Sequence, residues 1–183
     1  MLKNGINTIL SGHFGDFDWI INQKSGFMSH PTLRYKDKKT GKIVVNTFLK
    51  AQVVKAENKI SKNRMTVTSG KVIAEQTLGF WTDFFEVHHY KILKGRPIKV
   101  FQNLPVGHGR EEACDILNDI RLFRNRIYHN EPIIFKGGVI DFQVCEDVHE
   151  KILNVLSWID PDLSKWVEDL DGVEVKIKKM LKP

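Results

Sequence analysis

REEACDILNDIRLFRNRIYHN, the sequence of residues 110–130, predicts a long amphipathic helix. On a helical wheel with about 100° per residue, its main apolar side chains fall within about 60° of Ile120. They are Ala113, Ile116, Leu117, Phe123 and Ile127. The acidic pair Glu111–Glu112 suits the first turn, where the helix dipole favours carboxylates. The helix must end before Pro132, because proline disfavours the helical conformation of the preceding residue.

Helical spacing of apolar residues continues on both sides of this helix, so we predict an all-α chain of six or seven helices. The other predicted helices are residues 2–10, 16–21, 43–60, 69–93, 142–158 and 161–170. The tail from Val173 is either a strand or a frayed helix. This pattern divides the chain into an N-terminal helical segment with a basic loop (1–42), a helical domain (43–172) and a C-terminal tail (173–183).

Composition describes a globular protein rather than a membrane-spanning or disulfide-rich one. Hydrophobic residues make up 42% of the 183 residues, and no apolar run approaches the roughly 18 residues of a membrane span. Cys114 and Cys145 are too few for a disulfide framework, and no secretory leader is evident, so we expect a cytoplasmic setting. The net charge of +6 permits a polyanionic partner, although dispersed Lys and Arg residues equally describe a solvated surface.

The predicted helix at 69–93 carries an aromatic cluster and two adjacent histidines. The aromatic residues suit a core, and they are Phe80, Trp81, Phe84 and Phe85. His88 and His89 are of a metal-ligating type, but neighbours on a helix diverge by about 100° and no acidic partner repeats nearby. We therefore predict no metal site and no cofactor.

Arg124, Asn125 and His129 form the candidate catalytic set. In metal-free RNA cleavage a base removes the proton of a 2′-hydroxyl, and the imidazole of His129 suits the role of general base or acid. Arg124 would stabilise the charge of the phosphorane, and Asn125 would orient His129 or hold a phosphate oxygen. Weaker candidates for RNA or phosphate contacts are Arg121, Arg126 and Tyr128.

The helical wheel separates these side chains. Asn125 and His129 share the face away from the core, whereas Arg124 lies about 40° from the centre of the core stripe. Leu122 lies on the same outer face, which suggests a second packing surface and makes it the candidate dimer contact. The motif is then half of a site, completed by a second subunit. In the structural alternative, His129 and Asn125 form a helix C-cap and Arg124 pairs with a carboxylate at the core edge.

Several stretches resemble the Abi-like (AbiD/AbiF) abortive-infection proteins of the HEPN superfamily. Residues 124–129, RNRIYH, match the R-N-x-x-x-H motif of HEPN ribonuclease toxins, and residues 122–133 resemble the Abi-like signature lRNRiaHhEPi. Residues 69–81 resemble the family's pgrvvaeltfGFW helix, and residues 2–19 resemble its LRNaI…hFG…W segment. The likeness runs in register from about residue 2 to residue 135.

The resemblance implies a HEPN-like antiparallel helical bundle with additional N-terminal helices. It also implies metal-independent RNA cleavage by the candidate set, a homodimer with a composite cleft, a role as an antiphage or toxin-type effector, and an antitoxin, protein or RNA, as a candidate partner. Family members usually extend further at the N-terminus, and Lys3 and Asn7 stand where they often have Arg and His. Two alternatives stay open: a non-catalytic HEPN module that binds RNA or protein, and a purely structural helical interaction protein.

Overall fold

Ten α-helices, four short 3₁₀ helices and four short strands make up the regular structure of residues 1–37 and 39–181, the part of the chain described in a computed structural model. The helices are α1 (Leu2–Phe14), α2 (Trp19–Asn22), α3 (Phe48–Lys62), α4 (Ser69–Glu75), α5 (Leu78–Thr82), α6 (Val87–Ile92), α7 (Arg110–Tyr128), α8 (Gln143–Ile159), α9 (Pro161–Glu168) and α10 (Val173–Met180). Two antiparallel hairpins pair β1 (Arg34–Lys36) with β2 (Ile43–Val45), and β3 (Phe135–Lys136) with β4 (Val139–Ile140). The predicted all-α class is confirmed at this level.

Contacts group the chain into two compact units, Met1–Val100 and Phe101–Pro183. This division does not coincide with the predicted boundaries after residues 42 and 172. Across the described ranges, no helix combines the length and the apolar character that crossing a membrane requires.

The first unit is built around the aromatic cluster. The predicted core residues of this cluster are confirmed as buried, and they are Phe80, Trp81, Phe84 and Phe85. Trp19 of α2 packs edge-on against Phe84, with ring centroids 6.0 Å apart, and Phe80 packs on the same ring at 5.3 Å. Such edge-to-face pairs add to the free energy gained from burying their area.

The predicted helix at 69–93 is divided into α4, α5 and α6. The chain leaves helical geometry at Gln76 (φ −72°, ψ 136°) and again at Glu86 (φ −61°, ψ 138°). The two breaks separate the segment that carries the four buried aromatic residues from α4 on one side and from α6 on the other. The side-chain amide of Gln76 donates to the carbonyl of Val72 at 3.1 Å as α4 ends.

The predicted helix at 43–60 begins only at Phe48. Ile43, Val44 and Val45 instead form β2, whose central residue pairs with Tyr35. Three consecutive β-branched residues favour a strand once a partner strand is present. That partner, β1, lies in the segment predicted as a basic loop. The tail from Val173 is helical, so the helical one of its two predicted conformations is correct.

The second unit packs α7 against α8, and α8 against α9. The buried residues of α7 are Ala113, Cys114 and Leu117, all in its first half. Ile127 was predicted to belong to the core stripe, and this is wrong, because 51% of its surface is exposed. The wheel gives the direction of a side chain around the axis but not the point along the axis where the packing partner ends. The last two residues of α7, Ile127 and Tyr128, are therefore exposed to solvent.

Candidate functional site

The C-terminal end of α7 holds the candidate catalytic residues in a defined geometry. The helix is closed by His129, and the next residue, Asn130, adopts a left-handed conformation with φ 55°. The N–H of Asn130 donates to the carbonyl of Ile127 at 3.0 Å, and the N–H of Glu131 donates to the carbonyl of Arg126 at 2.9 Å. These two bonds make a Schellman motif, which satisfies carbonyls that a helix end otherwise leaves unpaired. The backbone next to His129 is thereby fixed.

Four side chains at this helix end form a continuous line of contacts. Arg124 donates from Nη1 to Oδ1 of Asn125 at 3.4 Å, and its Cζ lies 5.2 Å from the centre of the Tyr128 ring. The rings of Tyr128 and His129 meet edge-on, with centroids 5.5 Å apart and planes at 85°. Arg124 and His129, which the wheel separates, are therefore joined through Tyr128. The sequence predicted Tyr128 only as a weak RNA contact, although its i,i+4 spacing from Arg124 is the signal of this stacking.

The structural alternative is correct in part. The main-chain N–H of His129 does donate to the carbonyl of Asn125 at 2.9 Å, as a C-cap requires. However, both the Arg124 and His129 side chains are exposed. Within the part of the chain that the structure describes, no carboxylate lies within ion-pair distance of Arg124. Its guanidinium contacts an amide and a ring and faces solvent.

The other arginines of this segment are engaged by the protein. Arg126 donates from Nη2 to the carbonyl of Pro132, and its Nε lies 3.6 Å from a carboxylate oxygen of Glu131. Arg121 donates from Nε and Nη2 to Oδ1 of Asn118 at 3.3 and 3.1 Å. Arg126 thus holds the chain that follows α7, and Arg121 is oriented along the helix. Of the three arginines, Arg124 has the arrangement best suited to an incoming anion.

Leu122, the predicted dimer contact, is 53% exposed. It lines a shallow groove of about 270 Å³ between α7 and α8, together with Phe123, Arg126 and Val144. The groove is crossed by an ion pair between Lys151 Nζ and Asp119 Oδ2 at 2.6 Å. Leu122 and Val144 are the exposed apolar side chains that line this groove.

A side-chain hydrogen bond that the sequence did not predict anchors the segment before α10. His149 Nε2 lies 2.5 Å from Oδ2 of Asp171, and the main-chain N–H of Val173 donates to Oδ1 of the same carboxylate at 3.0 Å. The N–H of Val173, followed by the bond from His149, lowers the pKa of Asp171 below its usual value. The two residues are 22 positions apart, so no local pattern marks the pair.

Comparison of the chain with protein-family models, with curated proteins and with solved structures found no match. The functional interpretation is therefore carried by the side chains at the end of α7.

Proposed function

We propose that this chain is an endoribonuclease of the HEPN type, which cleaves RNA without a metal and acts as an abortive-infection or toxin-type effector. The observation that carries this proposal is the exposed line of contacts from Asn125 through Arg124 and Tyr128 to His129. A cation, a proton-transfer group and an aromatic ring stand together at a rigid helix end. The cation and the proton-transfer group are what phosphodiester transfer needs when no metal supplies charge, and the ring connects the two.

The proposed reaction is an internal transesterification. His129 removes the proton of a ribose 2′-hydroxyl, and the 2′-oxygen attacks the adjacent phosphorus. The bond from phosphorus to the 5′-oxygen breaks, and that oxygen takes up a proton. The products are a 2′,3′-cyclic phosphate and a free 5′-hydroxyl. Arg124 stabilises the additional negative charge on the phosphorane, and Asn125 keeps the guanidinium in place through the contact at 3.4 Å.

One chain supplies only one His129, whereas the reaction uses a base for the 2′-hydroxyl and an acid for the 5′-oxygen. We infer that the active species is a homodimer in which two copies of His129 share one cleft. The exposure of Leu122 in the groove between α7 and α8 supports an interface there. A Leu122→Asp variant is expected to be monomeric by light scattering and to lose cleavage while keeping its far-UV spectrum. A monomeric wild type with full activity would contradict the dimer.

A non-catalytic HEPN module that binds RNA or protein is the second candidate. The stacking of Arg124 on Tyr128 favours it, because a guanidinium held over an aromatic ring also suits phosphate and base contacts without any turnover. This candidate predicts RNA binding whose log affinity falls linearly with log salt concentration, with no product formed. The antitoxin, protein or RNA, belongs to the first proposal and would cover the same helix end.

Expression toxicity and cleavage of purified protein separate the two candidates. We expect toxicity and a cyclic-phosphate product from the wild type in the presence of EDTA, and neither from His129→Ala or Arg124→Ala. Arg121→Ala is the matched control, since Arg121 lies on the same helix but is bonded to Asn118. A wild type that binds RNA but forms no product would establish the binding module. Equal cleavage by wild type and His129→Ala would refute the proposed mechanism.

A further inference from the structure

Three side chains at the end of the aromatic segment bring metal-ligating atoms together. Asp83 precedes the break at Glu86, and His88 and His89 follow it on α6. Each offers a ligand atom, and these atoms all lie within 4.8 Å of one another. The prediction that no acidic partner lies near the histidines is therefore wrong. It assumed one continuous helix, whereas the break at Glu86 folds the turn that carries Asp83 back beside α6.

Asp83 and His89 meet in a geometry that does not suit a hydrogen bond. Oδ2 of Asp83 lies 2.8 Å from Nδ1 of His89, a side chain that is 1% exposed. The ring nitrogen instead approaches the main-chain carbonyl of Asp83, at 3.3 Å. The buried Oδ2 has no hydrogen-bond partner among the residues that the structure describes. Burying a carboxylate oxygen without a hydrogen-bond partner costs free energy, and a bound ligand would remove that cost.

The same misalignment suits a shared cation. An ion held at about 2.0–2.1 Å by both Nδ1 and Oδ2 lies about 45° off the line that joins these atoms. Nδ1 of His89 also contacts the main-chain carbonyl of Asp83, so it binds an ion only in its unprotonated form and after giving up that contact. Ligand atoms around a tetrahedral Zn²⁺ are about 3.3 Å apart. The separation of 2.8 Å between Asp83 and His89 is about 0.5 Å shorter than this spacing, so the two atoms move slightly apart when they share the ion.

His88 is in the neutral form that binds metals. The side-chain amide of Asn46 donates from Nδ2 to Nε2 of His88 at 2.5 Å. The amide is held in this orientation because its Oδ1 accepts the main-chain N–H of Phe48 at 3.0 Å. Nε2 of His88 must then carry a lone pair rather than a proton. A histidine that accepts a hydrogen bond in this way is a neutral imidazole, and its Nε2 lone pair becomes available to a metal once the amide of Asn46 is displaced.

His88 is the member of the cluster that an ion can reach from outside. It is half-buried and lines a cavity of about 410 Å³ with His30, Thr32, Val87, Lys91 and Ile92. Ligand atoms up to 4.8 Å apart are too widely spaced for one Zn²⁺, so ion binding requires the His88 ring to rotate away from Asn46.

We propose that Asp83, His88 and His89 bind one divalent transition-metal ion, with Zn²⁺ as the best match. Two imidazoles and one carboxylate form a mixed nitrogen and oxygen donor set, which selects Zn²⁺ or Co²⁺ over Mg²⁺ and Ca²⁺. The ion gives the unpaired carboxylate oxygen a partner and ties the turn at Asp83 to α6. The site belongs to the unit Met1–Val100. It supplies no metal to the proposed RNA cleavage by residues of α7.

Metal titration of the full chain tests this site. The protein is purified without a polyhistidine tag, treated with chelator and titrated with Co²⁺, whose visible absorption reports a tetrahedral site. We expect one Co²⁺ per chain, displaced by one equivalent of Zn²⁺, and a thermal unfolding midpoint that rises with Zn²⁺. His88→Gln and Asp83→Asn should each weaken Zn²⁺ binding at least about 100-fold, because each removes a direct ligand.

His30→Gln is the matched control, since His30 lines the same cavity outside the cluster. It should bind Zn²⁺ as the wild type does. The proposal is overturned by a folded wild type that binds neither Co²⁺ nor Zn²⁺, which would leave Asp83 and His89 as an ion pair alone. It is also overturned if His88→Gln binds Zn²⁺ with wild-type affinity. His88 is half-buried, so its variant tests the site even if Asp83→Asn does not fold.

Discussion

Asn130 sets the end of α7, and its replacement tests whether the helix end holds His129 in place. Asn130 has φ 55°, a left-handed conformation that costs a residue with a Cβ atom about 1–2 kcal/mol. Asparagine reduces this cost by local hydrogen bonding, and glycine removes it. We therefore expect Asn130→Ala to lower the free energy of unfolding by about 1 kcal/mol, and Asn130→Gly to leave it within about 0.5 kcal/mol of the wild type.

Urea unfolding followed by far-UV circular dichroism measures these differences, provided that the transition of the second unit is resolved. A loss of about 1 kcal/mol corresponds to about a fivefold change in the unfolding equilibrium constant. The strained helix end should also fray, which loosens the bond from the N–H of His129 to the carbonyl of Asn125. RNA cleavage should therefore fall in Asn130→Ala and be retained in Asn130→Gly. An alanine variant as stable as the wild type, or a glycine variant that is the less stable of the two, would refute the reasoning.

Three further predictions follow from individual contacts. Tyr128→Ala should lower kcat/KM for RNA about two- to fivefold, because an exposed cation–π contact with Arg124 is worth about 0.5–1 kcal/mol, whereas Tyr128→Phe should keep the ring and the activity. Asp171→Asn should destabilise the protein at pH 7. The pKa of Asp171 is lowered in the folded state, so the difference in stability between variant and wild type should be complete above the unfolded pKa of about 3.9. This difference should vanish as the pH falls through the folded pKa, and thermal unfolding at a series of pH values measures it. Phe84→Ala should cost about 3–5 kcal/mol in chemical unfolding, whereas Phe135→Ala, at a residue that is 55% exposed, should cost under about 1 kcal/mol; equal losses would contradict the assignment of the core.

Local sequence patterns correctly predicted the helix α7 and the buried aromatic cluster. The apolar period of residues 110–130, its acidic first turn and the proline after it were sufficient to predict α7 to within two residues at its C-terminus. The concentration of aromatic residues from Phe80 to Phe85 was sufficient to predict a buried cluster. Each inference depends only on the spacing of residues along the chain, because helix geometry fixes the direction in which each side chain points.

The errors arose where a distant partner decides the outcome. Ile43–Val45 pairs with β1, which lies in a largely polar segment, and no local sequence pattern predicts that pairing. Ile127 points in the direction of the core, yet the packed part of α7 ends before it. The strand propensity of Ile43–Val45 and the direction of the Ile127 side chain follow from local sequence. Whether either residue set is paired or buried depends on a contact with a distant part of the chain.

The residue types at the end of α7 were fixed by the sequence itself: an arginine, an amide and an imidazole at R-N-x-x-x-H spacing. The structure adds that Arg124 reaches His129 through the ring of Tyr128, and that Arg121 and Arg126 are bound by the protein, through contacts local to α7 and the residues that follow it. It also decided that Asp83 returns to His88 and His89, because a break in the helix changes which side chains are neighbours. The sequence determines which chemical groups are present. The distances between these groups set their hydrogen bonding and metal ligation, and those distances depend on how the chain turns between the residues that carry them.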